Sequence, residues 1–437
     1  MVHKGTREEE VNPMKKVLSL IVALVILAVP MMAAAVDFGG VTVNALIFKS
    51  TDTDYMIEVL APRLKEEANI NLVINQVPYE EVRSTMLADA FGAQQYDIIN
   101  PCTEWVYEYF DFATPITEFI GAEGYPEMDL DDIIPFVWNG FNWTEDIYFL
   151  PYQPDTRVFF WREDLLEAEG LSVPTTWDEM KEAAAKLTKD TDGDGQIDQY
   201  GFVFSGARGW NELLTWVPFT YSAGGMIFDG RTPVFNSQEA LDAINLLIEM
   251  KQYCPPDVEA YGEYEVIAAT QNGSCAMGVS ATSICAEIES AASSVAGLIK
   301  SGTFPVKAAD TDVKYTAAMG GWALGVSQYS KNKDAAAYAC MFITNKENST
   351  EMEIQGRAHA ARISQGENER LLTANPHVPG IIDVLEGSKL WFEGSEGAAL
   401  GEIVLVHINK AVCEEVTPEQ ALADAEAEVL AYLEENA

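Results

Sequence analysis

The stretch Tyr148-Phe149-Leu150-Pro151-Tyr152-Gln153-Pro154-Asp155-Thr156-Arg157-Val158-Phe159-Phe160-Trp161-Arg162 decides how the rest of the chain is read. Pro151 and Pro154 fix φ and bias the residues before them toward extended backbone. Val158, Phe159, Phe160 and Trp161 favour β structure, so the run predicts a buried strand. From Leu165 onward the pattern turns helical. The piece reads as a stiff extended crossing between one α/β unit and the next. An interior strand with a proline-edged entry fits the same residues.

The flanks favour the crossing. Val41–Phe48 predicts a strand, and 52–68 a helix with Ile57, Leu60 and Leu64 on one face and a kink at Pro62. Ile70–Val77 alternates as a second strand, Tyr79–Gln94 as a helix, and Tyr96–Asn100 as a third strand. This order predicts a parallel sheet with helices on both faces. Ligands in such sheets bind beyond the carboxyl ends of strands. Topology therefore directs Asp52, Glu104 and Trp105 to a mouth. A helix cap for Asp52 and plain packing for Trp105 explain them equally well.

A chain of 437 residues exceeds one ordinary core, so two domains are expected. The formal charge of −41 argues against nucleic acid and against an anionic membrane surface. Met14-Lys15-Lys16, the apolar run Val17–Val29 and Ala33-x-Ala35 form an export leader, with Met14 the better start and maturation near Val36. The apolar run is too short to span a bilayer. Cys102, Cys254, Cys275, Cys285, Cys340 and Cys413 show no zinc spacing. They are either disulfides, with Cys254–Cys275 the first pair to test, or buried thiols.

Thr176 and Glu179 have capping-box spacing. Then Asp190, Asp192, Asp194 and Asp198 fall at positions 1, 3, 5 and 9 of a loop with Gly195 at 6, the pattern of a calcium loop. Position 12 is Gly201 rather than Glu, and a strand over 200–204 is expected instead of a helix. A structural Ca²⁺ is one reading and an Asp/Gly-rich turn the other. No other cofactor is expected. Further helices are expected at 237–253, from about 280 to Leu298, 333–345, 347–355, 376–385 and 417–436. Phosphate loops and nucleophile elbows are missing, and the histidines do not space as metal ligands. What recurs is an aromatic beside acids or amides: Trp105, Tyr152 with Asp155, Trp210 with Asn211, and Trp322 after two glycines. Sugars need a flat ring for their CH faces and Asp, Asn, Arg or Glu for their hydroxyls.

Several short motifs, in order, resemble the extracellular solute-binding proteins of family 1, the sugar receptors of ABC importers. They are Val77-Pro-Tyr-Glu-Glu81, Tyr96-Asp-Ile-Ile99, Leu150-Pro-Tyr-x-x-Asp-Thr-Arg157, Trp161-Arg-Glu-Asp-Leu165, Pro174-Thr-Thr-Trp-Asp-Glu179, Gly224-Gly225 with Phe228-Asp229, and Gly320-Gly321-Trp322. The resemblance implies a type II periplasmic-binding-protein fold: two α/β lobes, a three-segment hinge and a ligand cleft between them. Its implied division is 36–152 with 306–346 for one lobe, and 153–305 with 347–437 for the other. It places Tyr152, Asp155 and Arg157 at the hinge and cleft floor, Arg157 being either brace or ligand donor. Trp322 becomes a stacking ring, and Glu104 and Trp105 fit the loop after the third strand. Trp210, Trp216 and Arg362 are further candidates, although His359-Ala-Ala-Arg362 departs from the family's proline-bearing form. The implied protein is a periplasmic, monomeric, non-enzymatic receptor that hands a sugar or oligosaccharide to a membrane permease. An exported glycosidase, a sensor subunit, and a receptor for a polyamine or peptide are the alternatives.

Overall fold

The computed structural model describes residues 36–355 and 359–436. The leader at 1–35 lies outside the described residues. The strands in chain order are β1 Thr42–Phe48, β2 Asn71–Val77, β3 Ile98–Ile99, β4 Ala113–Thr114, β5 Phe149–Asp155 and β6 Arg157–Arg162. They continue with β7 Phe228–Asp229, β8 Thr232–Pro233, β9 Met277–Ala281, β10 Ile299–Gly302, β11 Ala318–Ser327 and β12 Lys389–Leu390. The larger sheet has the order β12-β11-β3-β1-β2, with β4 and β5 also on β11. The smaller sheet is β10-β6-β9, and β7-β8 is a separate ribbon.

The expected parallel β-α-β-α-β unit is present: β1 pairs in parallel with both β2 and β3. Val43, Ala45, Leu46 and Ile47 are all fully buried, as a strand covered on both faces requires. The first helix is continuous from Thr51 to Ala68 but contains a π turn at Met56–Leu60. This places Met56, Leu60 and Leu64 in the core and turns Ile57 outward, 39% exposed. Pro62 enters at the start of the segment that follows the π turn, where its missing N–H costs little.

The opening stretch is two strands, not one. β5 ends at Asp155 and β6 begins at Arg157, so Thr156 alone separates the larger sheet from the smaller. β5 has β11 as its single ladder partner, and an edge strand accepts prolines. Its register sets Gly320 opposite Asp155, Gly321 opposite Pro154 and Trp322 opposite Gln153, with a bulge after Trp322. The chain passes between the sheets again from β10 to β11. On the third passage it stays with the larger sheet through Arg362, which bridges Ile133. Helix Val378–Glu386 then packs on β10, where Gly380 lies against the Ser301 carbonyl.

Several expectations fail here. Residues 200–204 form no strand, because Tyr200 makes one isolated bridge to Cys275 and Phe202 bonds to Tyr253. The helix expected up to Leu298 is confined to Ile284–Ile288. Helix Gly397–Val412 has no counterpart among the expected elements; it packs on helices Trp210–Ser222 and Pro418–Glu435. Of the two readings of the cysteines, free thiols hold: all six are unbridged, Cys254 and Cys275 included, and five are buried. The capping box at Thr176 and Glu179 is present on both sides.

Packing at two sites has measurable consequences. Gly321 has φ +127°, and a Cβ there would lie 2.6 Å from the Gln153 carbonyl oxygen and 2.7 Å from Pro154 Cα. Gly321→Ala should cost about 2 kcal/mol or more in urea denaturation, through both strain and collision. Glu212, in helix Trp210–Ser222, is fully buried and accepts from Asn409 Nδ2 at 3.1 Å. Burial pushes its carboxyl up to about 8. The folded state therefore holds the proton that the unfolded chain releases, so this contribution is intact in acid and is lost as pH rises toward 8. Glu212→Gln should leave stability near wild type at about pH 4.5 and exceed it progressively above, by roughly 1.4 kcal/mol per pH unit at most, up to pH 8.

Candidate functional site

The carboxyl ends of β1, β3 and β5 meet the amino end of β11 beside the smaller sheet. Asn100, just after β3, locks this junction. Its Nδ2 donates to the Ala323 carbonyl at 2.8 Å, and its Oδ1 accepts the Phe48 N–H at 3.1 Å. Ser50 caps the first helix by accepting from the Thr53 N–H at 3.2 Å, which sets Asp52 inside its first turn and nearly fully buried. Asp52 is therefore not the cap. Tyr152 is buried beside it; burial, then the Asp52 charge, pushes the phenol well above its usual range.

His359 joins this group from the third passage, a residue to which the sequence alone assigns no role. Its Nδ1 lies 3.1 Å from the Pro154 carbonyl and its Nε2 2.9 Å from Gln153 Nε2. A carbonyl can only accept, so Nδ1 carries the proton and Nε2 accepts from the Gln153 amide. The same Nε2 stands 3.9 Å from an Asp52 oxygen. Nothing in the spacing of Asp52, Gln153 and His359 marks them as neighbours; only the fold joins them.

Within β11, Trp322 stacks on Phe48 with ring centres 4.2 Å apart and planes 12° from parallel. Trp105 meets Trp322 edge-on at 5.7 Å. Phe48 thus occupies one face of the expected stacking ring. Glu104 Oε2 accepts from the Cys102 thiol, and from Thr103 Oγ1 at 3.3 Å. Burial raises the Glu104 carboxyl above its usual range, the Cys102 bond opposes that, and Asp155 adds to it. Asp155 Oδ1 accepts from the N–H groups of Thr156 at 3.0 Å and Thr282 at 3.2 Å, and from the Thr282 hydroxyl. It thereby ties the end of β5 to the end of β9.

The remaining candidates stand apart from this centre. Arg157 is 4% exposed; its guanidinium donates to Asn211 Oδ1 and lies 3.9 Å from Glu263, so it braces the crossing against the smaller sheet's helices. Trp216 is a correction: it is fully buried, its Nε1 donates to the Ala240 carbonyl at 3.1 Å, and a solute cannot reach it. Trp210 donates to Glu402 at 2.9 Å and seats its ring on Gly401. Arg362 is a second correction. It is 1% exposed and donates to the carbonyls of Asp129, Met128 and Thr344 at 3.0–3.1 Å. Charge-assisted bonds of that number offset its burial and leave it no reach into a cleft.

Between the sheets lies a chamber of about 380 Å³ whose lining includes Thr51, Ser283, Glu289, Gln355, His359 and Asn375. Beyond Asp155 and Thr282 a narrow slot of about 10 Å³ separates Thr103 and Glu104 from Leu214, Trp391 and Phe392. Trp391 carries no signal in the sequence because it follows a run that reads as helical. In the Asp-rich loop, carboxylate oxygens of Asp190, Asp192 and Asp194 come within 4.8 Å of one another. Asp198 instead accepts from Thr191 at 2.7 and 2.9 Å. Gly201 packs on helix Trp177–Leu187, with the Ala184 carbonyl 2.0 Å from where a Cβ would sit, so position 12 has no room for a ligand side chain.

Known proteins share this architecture. A probable amino-acid ABC transporter periplasmic-binding protein of Sinorhizobium fredii is 25% identical over 372 residues, 83% of this chain and 82% of its own. A mannitol-binding protein of Pseudomonas aeruginosa is 27% identical over 298 residues, 64% of each chain. A ribitol-bound ABC transporter solute-binding protein of Agrobacterium radiobacter superposes with a TM-score of 0.77 at 23% identity, over 90% of this chain and 99% of its own. A maltose-bound protein of T. maritima gives 0.78 at 20% identity, over 89% and 99%. These likenesses establish the two-lobed type II fold. The family model for bacterial extracellular solute-binding proteins matches residues 49–347, well over half of the sequence. The chain is a member of that family.

Proposed function

We propose that this protein is the extracytoplasmic receptor of an ABC importer for a small, uncharged polyhydroxy solute, a monosaccharide or sugar alcohol. The observation that carries the reading is the chamber between the sheets. Its volume of about 380 Å³ lies near the lower end for small-molecule sites, which suits a single sugar unit better than a long saccharide. Its lining combines hydroxyls, amides and carboxylates, the mixed donors and acceptors that a polyol's hydroxyls require. An α-amino acid, suggested by the Sinorhizobium relative, would bring a carboxylate into a lining that includes Glu287 and Glu289 and, among the described residues, no Lys or Arg. Glu289 is held ionised: burial acts to raise it, but the His377 bond and charge, the Gly297 N–H and the Lys300 charge together keep it below the usual range.

Export through the leader at 1–35, release of a mature chain from Val36 and hand-over to a permease complete the proposal. Among the described residues no helix is long and apolar enough to cross a membrane. Binding would draw the sheets together according to the solute's preference for the closed arrangement, with the Glu104–Trp391 slot as its tight end.

Calorimetry against mannitol, ribitol, glucose, maltose, glutamate and spermidine tests the reading. Heat is expected with the first three, and binding confined to glutamate or spermidine would overturn it. Trp322→Ala, which removes the ring packed between Phe48 and Trp105 at the junction of the sheets, should weaken the preferred solute by about tenfold or more. Ser283→Ala should cost about fivefold through one lost hydrogen bond. Unchanged affinity in a folded Trp322→Ala protein would remove that ring from the site.

A further inference from the structure

The contact between Cys102 and Glu104 is not explained by packing alone. Residues 101–103 are clamped to β11: the Ala323 N–H donates to the Pro101 carbonyl at 3.1 Å, the Thr103 N–H to the Gly321 carbonyl at 3.0 Å, and Cys102 bridges Trp322. The Cys102 sulfur is therefore fixed by backbone on both sides, and the residue is 2% exposed. From there its thiol reaches Glu104 Oε2, the same oxygen that Thr103 Oγ1 approaches. Two donors on one oxygen leave the other, Oε1, in front of Gly320. A Cβ at Gly320 would lie 3.3 Å from Oε1 and 3.9 Å from the Asp155 Cβ. The glycine keeps that space open between two carboxylates at the tight end of the cleft.

We propose that Cys102 is a positioning residue for solute binding: its thiol pins one carboxylate oxygen of Glu104 so that the other faces the cleft as an acceptor for the solute's donors. The role in binding rests on the receptor reading above. Burial first, then the Glu104 charge, holds the Cys102 thiol well above its usual range, so it stays a donor and never becomes a competing anion. Around Glu104 the charged group that acts on it is Asp155, which disfavours ionisation; among the described residues no Lys, Arg or His forms an ion pair with it. The Cys102 bond is the strongest influence favouring the ionised form. Burial already holds the Glu104 carboxyl above its usual range, so deleting the bond should move its titration further upward and extend the loss of the acceptor to higher pH.

Two readouts test this and separate it from the receptor reading. The infrared S–H stretch needs no solute. Wild-type protein should show one thiol band shifted by a charged acceptor, absent in both Glu104→Gln and Cys102→Ala. An unshifted set of bands in the folded wild type overturns the proposal without any variant. Calorimetry with mannitol should show Cys102→Ala about fivefold weaker than wild type at about pH 5, nearly equal at about pH 8, and restored in Cys102→Ser. Identical pH profiles in wild type and Cys102→Ala overturn the positioning role and leave Cys102 as packing. A shifted thiol band in a protein that binds no polyol at any pH supports the contact and overturns the receptor reading instead.

Discussion

The close approach of β5 to β11 at Gly320 and Gly321 is the constraint from which the rest follows. With no side chain at 321, the backbone of Gln153, Pro154 and Asp155 can lie against β11. That register sets Trp322 opposite Gln153 and beside Phe48, and turns Asp155 toward Thr282. It also leaves the Pro154 carbonyl for His359, because proline contributes an acceptor but no donor to the ladder. One glycine thus sets the position of groups drawn from three separate passages of the chain.

The junction is stiff because its polar groups are satisfied across passages rather than within them. Thr156, the single residue between β5 and β6, donates its hydroxyl to the Ala318 carbonyl at 3.0 Å and its carbonyl accepts from Thr282 at 3.0 Å. Arg362 is held by three carbonyls of the larger sheet's surroundings, and Arg157 by Asn211 and Glu263 on the other side. Each buried cation belongs wholly to one body. Movement between the sheets would therefore strip neither guanidinium of its partners, a loss that would cost several kcal/mol. The same arrangement explains why two arginines that look like ligand donors in the sequence act as braces in the fold.

Much of the fold was legible because it rests on local periodicity. β1 is an apolar run and β2 alternates, the proline-flanked aromatic run is a crossing, and the helices at 238–250, 333–344 and 418–435 lie within a few residues of expectation. The failures have physical causes. Helix Gly397–Val412 opens on glycine and alanines with no side-chain cap, so its start carries no signal, and its stability comes from burial between two other helices. The π turn at Met56–Leu60 shifts the inward face by one residue, which a 3.6-residue period cannot anticipate. Asp52, Glu104, Trp105, Tyr152, Asp155 and Trp322, which follow strand ends in the sequence, gather at the junction of the two sheets, while the chamber itself is lined by other residues such as Ser283, Glu289 and Asn375. Trp216 and Arg362 do not join them, since residue type alone does not distinguish a core tryptophan or a buried brace from a ligand group. Gln153, Thr282, His359 and Trp391 were missed because their partners are tertiary, with Gln153 and His359 separated by 206 positions.

The formal charge of −41 contributes less to selectivity than its size suggests. At physiological salt the Debye length is about 8 Å, so most surface carboxylates are screened from a solute inside the cleft. Discrimination has to come from groups at the wall. There, ionised carboxylates can only accept hydrogen bonds, whereas hydroxyls and amides both donate and accept. An anionic solute would meet Glu289, which His377 helps to keep charged, at short range in the chamber wall. A polyol meets the same carboxylate with a donor and turns the cost into a charge-assisted bond. The acidity of the surface suits solubility, while under the proposed reading the choice between solutes falls to the few carboxylates whose hydrogen-bond partners fix both their direction and their ionisation.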